Sequence, residues 1–308
     1  MIYHVFANRS NIGDWLSAKG IQQLLRPRPF VELLCDENFV PQTLQQLAQV
    51  KPDDLVVIGG GGLFMDYFNP FWCGFSELLA RVRYCIWGVG YCDLKATPSQ
   101  PPLQLLRDVV GRSCLCVVRD ELTRQYLQID DLPPPVPCPS LLSVEPGSLG
   151  HGILHVDNYT TVGAGNFEVM HSVCQDFADT TMRPYRRTNH RIEADRVDEL
   201  DRCLRLYRDS DLVVSSALHG CILAVAMGRP VLAVSGDRKI ESFMAAAGLA
   251  DWVLDHQKIA DLPARIAMLE CQATTSEFVR RSRHENRAVA RRVLDLLDRP
   301  HIGGQQTA

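Results

Sequence analysis

The hexapeptide Ser215-Ser216-Ala217-Leu218-His219-Gly220 places a histidine, the side chain best suited to moving protons near neutral pH, behind two hydroxyls. Ser215, Ser216 and the backbone N–H groups through Leu218 can donate to the oxygens of an anion. Three other stretches offer compatible chemistry. Arg119, in Val117-Val118-Arg119-Asp120-Glu121, carries a guanidinium suited to bidentate contact with a carboxylate or phosphate. Arg238 and Lys239 bring two cations to the start of a helix, which favours an anion pocket. In Asn11-Ile12-Gly13-Asp14-Trp15-Leu16-Ser17, Gly13 permits close backbone approach and Asp14 can accept hydrogen bonds from sugar hydroxyls. Plainer explanations stand beside each of these. The serines, Asp14 or Ser17 can cap helices, His219 can be a satisfied core histidine, Arg119 can pair with Asp120 or Glu121, and Arg238-Lys239 can be a solvated pair.

An alternation of strands and helices must position these residues. Residues 212–214 and 231–234 are apolar β-branched runs that suit strands covered on both faces. Between them lies a short helix, apolar nearly all round, closed by Gly228 and broken by Pro230. His219 therefore falls where a strand ends and a helix begins, at the ligand-binding crevice of an open α/β sheet. Upstream, strands are expected over 2–7, 30–34, 54–58, 84–89 and 115–118, with helices ending at 25 and spanning 41–50, 75–83, 103–110 and 121–127. The third strand is expected to run into Gly59-Gly60-Gly61-Gly62, which means either close approach of a ligand, with Gly60 and Gly61 against a donor, or a sharp chain reversal. Residues 130–139 hold five prolines and 145–152 are rich in Gly, Pro and Ser, which marks a domain boundary. The alternation then restarts with a strand over 152–156, helices over 167–177 and 197–208, the His219 segment, a helix over 240–247, a strand near 252–254 and helices over 259–271 and 276–298. Arg183, Arg186, Arg187 and Arg191 read as a solvated loop or a basic flap. The pattern implies two Rossmann-like doubly wound α/β domains, 1–145 and 150–298, facing a cleft, with a tail at 299–308.

Composition narrows the classes. A length of 308 residues fits about two domains, and 46% hydrophobic with 22% charged residues suits a soluble globular chain. A net charge of −4 argues against a protein that coats nucleic acid. The N-terminal Met1 to Ala7 lacks the features of a signal peptide. Eleven scattered cysteines suit reduced thiols and a cytoplasmic location. Cys114-x-Cys116 has no second pair, so no zinc site is expected, and no other metal-ligand spacing occurs. The glycine run is neither a dinucleotide fingerprint nor a Walker loop, and no hydrolase elbow is present.

Six pieces, in order, resemble the polysaccharide pyruvyl transferase family, in particular its branch like the exopolysaccharide ketal transferases. They are Asn11-x-Gly13-Asp14-x-Leu16-Ser17, the Asp54 strand with its glycine run, Val118-Arg119-Asp120, Pro139-Ser140-Leu141-Leu142, Ser215 to Gly220 continuing to Gly228-x-Pro230, and Lys239. The resemblance implies a GT-B-like fold, phosphoenolpyruvate as co-substrate with no other cofactor, and a sugar or lipid-linked oligosaccharide as acceptor. The implied product is a pyruvate ketal. By the same resemblance His219 is the general acid or base or a phosphate contact, and Arg119 grips the donor. Ser215, Ser216, Leu218, Gly60, Gly61, Arg238 and Lys239 line the donor, and Asn11, Gly13 and Asp14 orient the acceptor. Two positions depart from the family pattern: Ala217 stands where many members have Arg, and Cys138 stands where Asp often precedes the Pro. The alternatives are a GT-B glycosyltransferase using a nucleotide sugar and a non-catalytic carbohydrate-binding relative. The arginine-rich helix over 276–298 either packs across both domains, meets lipid-linked substrate at the inner face of the membrane, or presents a solvated amphipathic face, the last being preferred.

Overall fold

The structure is a computed structural model and describes residues 1–148 and 150–298; the tail expected at 299–308 lies outside the described residues. In chain order the first half comprises β1 (Ile2–Phe6), α1 (Ile12–Leu25), β2 (Phe30–Leu34), α2 (Val40–Leu47), β3 (Leu55–Phe64), α3 (Asn69–Ser76), β4 (Tyr84–Tyr91), α4 (Leu103–Gly111), β5 (Leu115–Val117) and α5 (Glu121–Leu127). The second comprises β6 (Ile153–Val156), α6 (Tyr159–Val162), α7 (Ala164–Thr180), β7 (Tyr185–Thr188), α8 (Val197–Arg208), β8 (Leu212–Ser215), α9 (Leu218–Ala226), β9 (Val231–Ser235), α10 (Arg238–Ala246), β10 (Val253–Asp255), α11 (Leu262–Ala267) and α12 (Ser276–Asp298).

Each half forms one five-stranded parallel sheet, ordered β2-β1-β3-β4-β5 and β7-β6-β8-β9-β10. The two orders are the same topology written twice, with no sequence repeat behind it. In each, the strand order reverses once, between β1 and β3 and between β6 and β8. Helices on either side of such a reversal diverge and open a crevice at the carboxyl ends of the strands. α1 leaves the first crevice and α9 begins beside the second, so the two switch points face each other. The central strands β3, β4, β8 and β9 are buried almost throughout, as the apolar runs demand.

Several local expectations are corrected. The glycine run ends no strand: β3 continues through Gly59–Gly62 to Phe64, with a register shift against β4 between Gly61 and Phe64. The helix expected at 75–83 lies earlier, at α3, where Pro70 starts the first turn, Phe71, Trp72 and Phe75 supply the buried face, and Trp72 Nε1 donates to Leu63 O at 2.8 Å. The span 259–271 is broken into α11 and flanking short turns. The arginine-rich connection near 183–191 contains β7, an edge strand whose charged side chains suit its open side. α1 is capped by Asn11, whose side chain accepts from Gly13 N at 3.0 Å, and not by Asp14 or Ser17.

α12 joins the halves. Its first turns pack Phe278 and Val279 into a core that residues of both halves share, Phe6, Ile12 and Leu16 with Leu218, Ile222 and Phe243, while Val289, Ala290 and Val293 pack with Ile2, Ile21 and Leu25 of the first. The helix assigned by sequence to the second domain therefore belongs physically to both. Its polar anchor is Asn286, fully buried, which accepts from Trp87 Nε1 at 3.0 Å and donates to Pro137 O and Ser282 O at 2.9 Å. Among the described residues no helix is long and apolar enough to cross a membrane. Replacing Asn286 with Leu strands the Trp87 N–H and the Pro137 carbonyl, each at about 1–3 kcal/mol. The Asn286→Leu protein is expected to lose about 3 kcal/mol in urea unfolding followed by tryptophan fluorescence; a loss near zero would show that α12 does not clamp the halves.

Candidate active site

The residues facing the cleft come from the carboxyl ends of strands in both sheets. Gly13, in the first turn of α1, lies against the His219 imidazole, and a side chain on Gly13 would overlap Nδ1. Asp14, one residue on, faces Gly61, where even a Cβ would come within 2.6 Å of Oδ1. Gly60 and Gly61 adopt positive φ values of 85° and 102°, which β3 needs in order to pass beneath Ser17 and Asp14. These glycines therefore make room for the start of α1.

Arg119 follows β5, its backbone N–H donating to Val89 O, and its side chain is 3% exposed. The guanidinium crosses Gly90, where any Cβ would collide with it. Nε donates to Asp120 Oδ2 at 3.1 Å, while Nη2 is buried with no hydrogen-bond partner. Asp120 also caps α5 through Thr123 N at 2.8 Å. From the other half, Lys239 Nζ lies 2.7 Å from Asp237 Oδ2 and 3.2 Å from Cys92 Sγ. Asp237 is fully buried and caps α10. Each cation is thus tied to a carboxylate that caps a helix.

Electrostatics follow from this layout. Burial pushes the His219 pKa well below its usual value, and the charges of Arg119, His190 and Lys239 push the same way, so the ring is neutral at pH 7. Burial raises the Asp14 pKa to about 6, although Arg119, Lys239 and Arg191 pull against it. Burial works against the charge on Lys239 too, but Cys92 and Asp237 restore it, and its pKa ends raised. The site thus offers two fixed cations, a neutral imidazole and a carboxyl that holds its proton up to near-neutral pH. That set suits an anion with two acidic groups and a step that moves protons.

Two backbone straps flank the cluster. Asn11 bridges to Arg191, with Ile12 N donating to His190 O, and Leu94 bridges to Asp237, with Lys95 N donating to Gly236 O. Beside the first strap opens a cavity of about 830 Å³, whose walls include Asn158, Phe167, Arg187, Asn189 and Arg191. Arg187 stacks 4.4 Å from the Phe167 ring centroid and pairs with Asp157.

Of the residues singled out in the sequence, the structure brings Asn11, Gly13, Asp14, Gly61, Arg119, His219 and Lys239 together. The others are placed differently. Ser215 Oγ bonds the backbone of Ala217 and Ser216 Oγ accepts from Asn158 N, so both hydroxyls shape the turn. Leu218 is packed in the core, although α9 begins without a side-chain cap, beside His219. Gly60 abuts Ser17. Arg238 points outward, half exposed, and pairs with Asp93 at 2.6 Å. Sequence reasoning missed Cys92 and treated Cys138 only as a departure; Cys138 Sγ lies 3.7 Å from His219 Nε2 and accepts from Ser140 Oγ at 3.2 Å. Asp237, one residue before Arg238, was findable as a helix cap. Cys92 gives no such signal.

Two parallel α/β domains meeting across a cleft place the molecule in the GT-B-like class. It is similar in fold to the UDP-GlcNAc 2-epimerase of Methanocaldococcus jannaschii in complex with UDP-GlcNAc and UDP (TM-score 0.57, 10% identity, 88% of this chain and 93% of that one). It is likewise similar to S. aureus MnaA in its UDP co-structure (TM-score 0.58, 12% identity, 95% and 94%). A comparison with curated protein sequences gives no match. The polysaccharide pyruvyl transferase family model matches residues 11–238, and the chain belongs to that family.

The raised Asp14 pKa has a stability consequence. The folded protein holds the Asp14 proton between the ordinary aspartate value of 3.8 and about 6 while the unfolded chain releases it, so this contribution is full below that window and lost as pH rises through it. Above pH 6 the ionised carboxylate costs about 3 kcal/mol relative to the unfolded chain. Asp14→Asn is expected to raise the midpoint of thermal unfolding at pH 7 and leave it nearly unchanged at pH 4. A lower midpoint at pH 7 would mean that the carboxylate is a net stabiliser of the two cations.

Proposed function

We propose that the protein transfers the enolpyruvyl unit of phosphoenolpyruvate to a pair of hydroxyls on a sugar of a polysaccharide or its lipid-linked precursor, forming a pyruvate ketal and releasing phosphate. The observation that carries this reading is the recessed pair Arg119 and Lys239, with Arg119 Nη2 unpartnered, beside a carboxyl that stays protonated to about pH 6. The donor has a carboxylate and a phosphate, and two cations from opposite sheets match them. The uncapped start of α9 adds donors to the same anion.

The reaction requires a proton on the donor's CH2 carbon, attack of one sugar oxygen on the resulting cationic carbon, and closure by the second oxygen with loss of phosphate. Two hydroxyl protons are released; they balance the one gained by carbon and the one that leaves with phosphate. Asp14 supplies the carbon proton, because the donor's negative charge raises its pKa further above 6. His219, kept neutral, accepts a hydroxyl proton. Arg119 and Lys239 stabilise charge on the departing phosphate. The acceptor enters through the cavity beside Asn11 and Arg191, where Asn158 and Asn189 offer amides to hydroxyls and Phe167 an apolar face.

Calorimetric titration with phosphoenolpyruvate, and separately with UDP-GlcNAc, tests this. Saturable phosphoenolpyruvate binding is expected. Arg119→Ala should weaken it about ten- to a hundredfold, as loss of a charged hydrogen bond does. His219→Gln should leave that affinity within about threefold and lower turnover by at least about a hundredfold. Binding of UDP-GlcNAc without phosphoenolpyruvate binding would move the protein to nucleotide-sugar chemistry.

A further inference from the structure

α12 buries Phe278, Ser282, Asn286 and Val293 and turns a basic face outward. Arg280, Arg281, Arg287, Arg291 and Arg292 are all exposed. At 3.6 residues per turn, Arg280, Arg287 and Arg291 fall on one stripe ~17 Å long. Arg281 approaches Glu285 at 3.9 Å, whereas Arg280, Arg287, Arg291 and Arg292 make no ion pair among the described residues. The whole chain carries −4, so this helix concentrates positive charge against the molecule's net sign.

Along the stripe opens a cavity of about 450 Å³, floored by Val225, Ala226, Pro230 and Val279, with Arg280 and Arg287 among its lining residues. Two other arginines there are already committed to the fold. Arg283 bonds Leu141 O and Glu145, and Arg229 bonds Tyr207 O and Ser148 O. An apolar recess bordered by uncommitted guanidinium groups has the chemistry of a site for an anionic amphiphile.

We propose that this face docks the protein on an anionic membrane surface, with lipid headgroup phosphates on Arg280, Arg287 and Arg291 and the start of one acyl chain in the recess. A nucleic acid would also satisfy the stripe, but it has no use for an apolar recess beside it. α12 meets Ile21 and Leu25 near the C-terminal end of α1, while Asp14 lies at the N-terminal end, so docking leaves the cleft free. The inference does not depend on which reaction the cleft carries out.

The test is co-sedimentation of the full chain with vesicles of phosphatidylcholine alone and with vesicles containing about one third phosphatidylglycerol. Binding is expected only to the second, weakening as salt is raised. A surface arginine contributes about fivefold at an anionic leaflet, so the triple variant Arg280→Gln, Arg287→Gln, Arg291→Gln should bind on the order of a hundredfold more weakly. Its thermal midpoint should be unchanged, since all three side chains are exposed. No binding to anionic vesicles, or equal binding by the triple variant, overturns the proposal. Arginine-dependent binding of duplex DNA in place of vesicles overturns it in favour of a nucleic-acid face.

Discussion

Two positive charges from different sheets are held in one recess, and the rest of the cleft follows from that arrangement. Arg119 and Lys239 each have one committed carboxylate, Asp120 and Asp237, and both carboxylates cap a helix. Negative charge at a helix N-terminus is already favoured by the aligned peptide dipoles, so the pairs are anchored from behind. In front, the buried Nη2 of Arg119 meets no acceptor, and an unsatisfied charged donor away from water is costly unless an anion supplies the missing contact. The same field helps keep His219 neutral and pulls against the burial that raises the Asp14 pKa. Burial sets both protonation states, and one pair of cations adjusts them, reinforcing the first and opposing the second.

Holding those charges at fixed separation requires that the halves not drift apart. The shared strand order points both switch crevices at each other, the two backbone straps stitch the rims, and α12 clamps the structure beyond the far end of α1. The glycines serve the same end. Gly13 lets the His219 ring close on α1, Gly90 lets the Arg119 side chain cross β4, and Gly61 leaves room for Asp14. A methyl group at any of the three would collide with the side chain it now accommodates.

Much of this was legible in the sequence. The apolar runs gave most strands, and their alternation with amphipathic segments gave two doubly wound domains. Positions just beyond strand ends picked out Asp14, Arg119, His219 and Lys239. What escaped has physical reasons. β7 is an edge strand with a polar sequence, Tyr185-Arg186-Arg187-Thr188, so neither alternation nor apolar burial announces it. The glycine run reads as the end of a strand because glycine weakens strands, yet tertiary contacts with α1 and β4 carry β3 through it. Arg238 and Lys239 are adjacent and look equivalent, but one helical step turns the first to Asp93 at the surface and the second into the recess. Cys92 reaches Lys239, and Cys138 reaches His219, only through the meeting of the two halves, which no local pattern encodes.

The placement of Asp14 and His219 also bears on how one site can both give and take a proton. Both groups are buried, but burial opposes opposite states: it keeps a carboxyl protonated and an imidazole unprotonated. The same desolvation therefore prepares an acid from Asp14 and a base from His219 with no further device. The neighbouring cations reinforce the neutral imidazole and oppose the neutral carboxyl, so without an anion the Asp14 pKa settles at about 6. A doubly acidic donor bound to Arg119 and Lys239 offsets that opposition, and under the proposed reaction the carboxyl is then most fully protonated when the carbon awaiting its proton has arrived. Coupling of this kind needs the cations to lie close to both groups and to be buried with them, which is what the convergence of the two sheets provides.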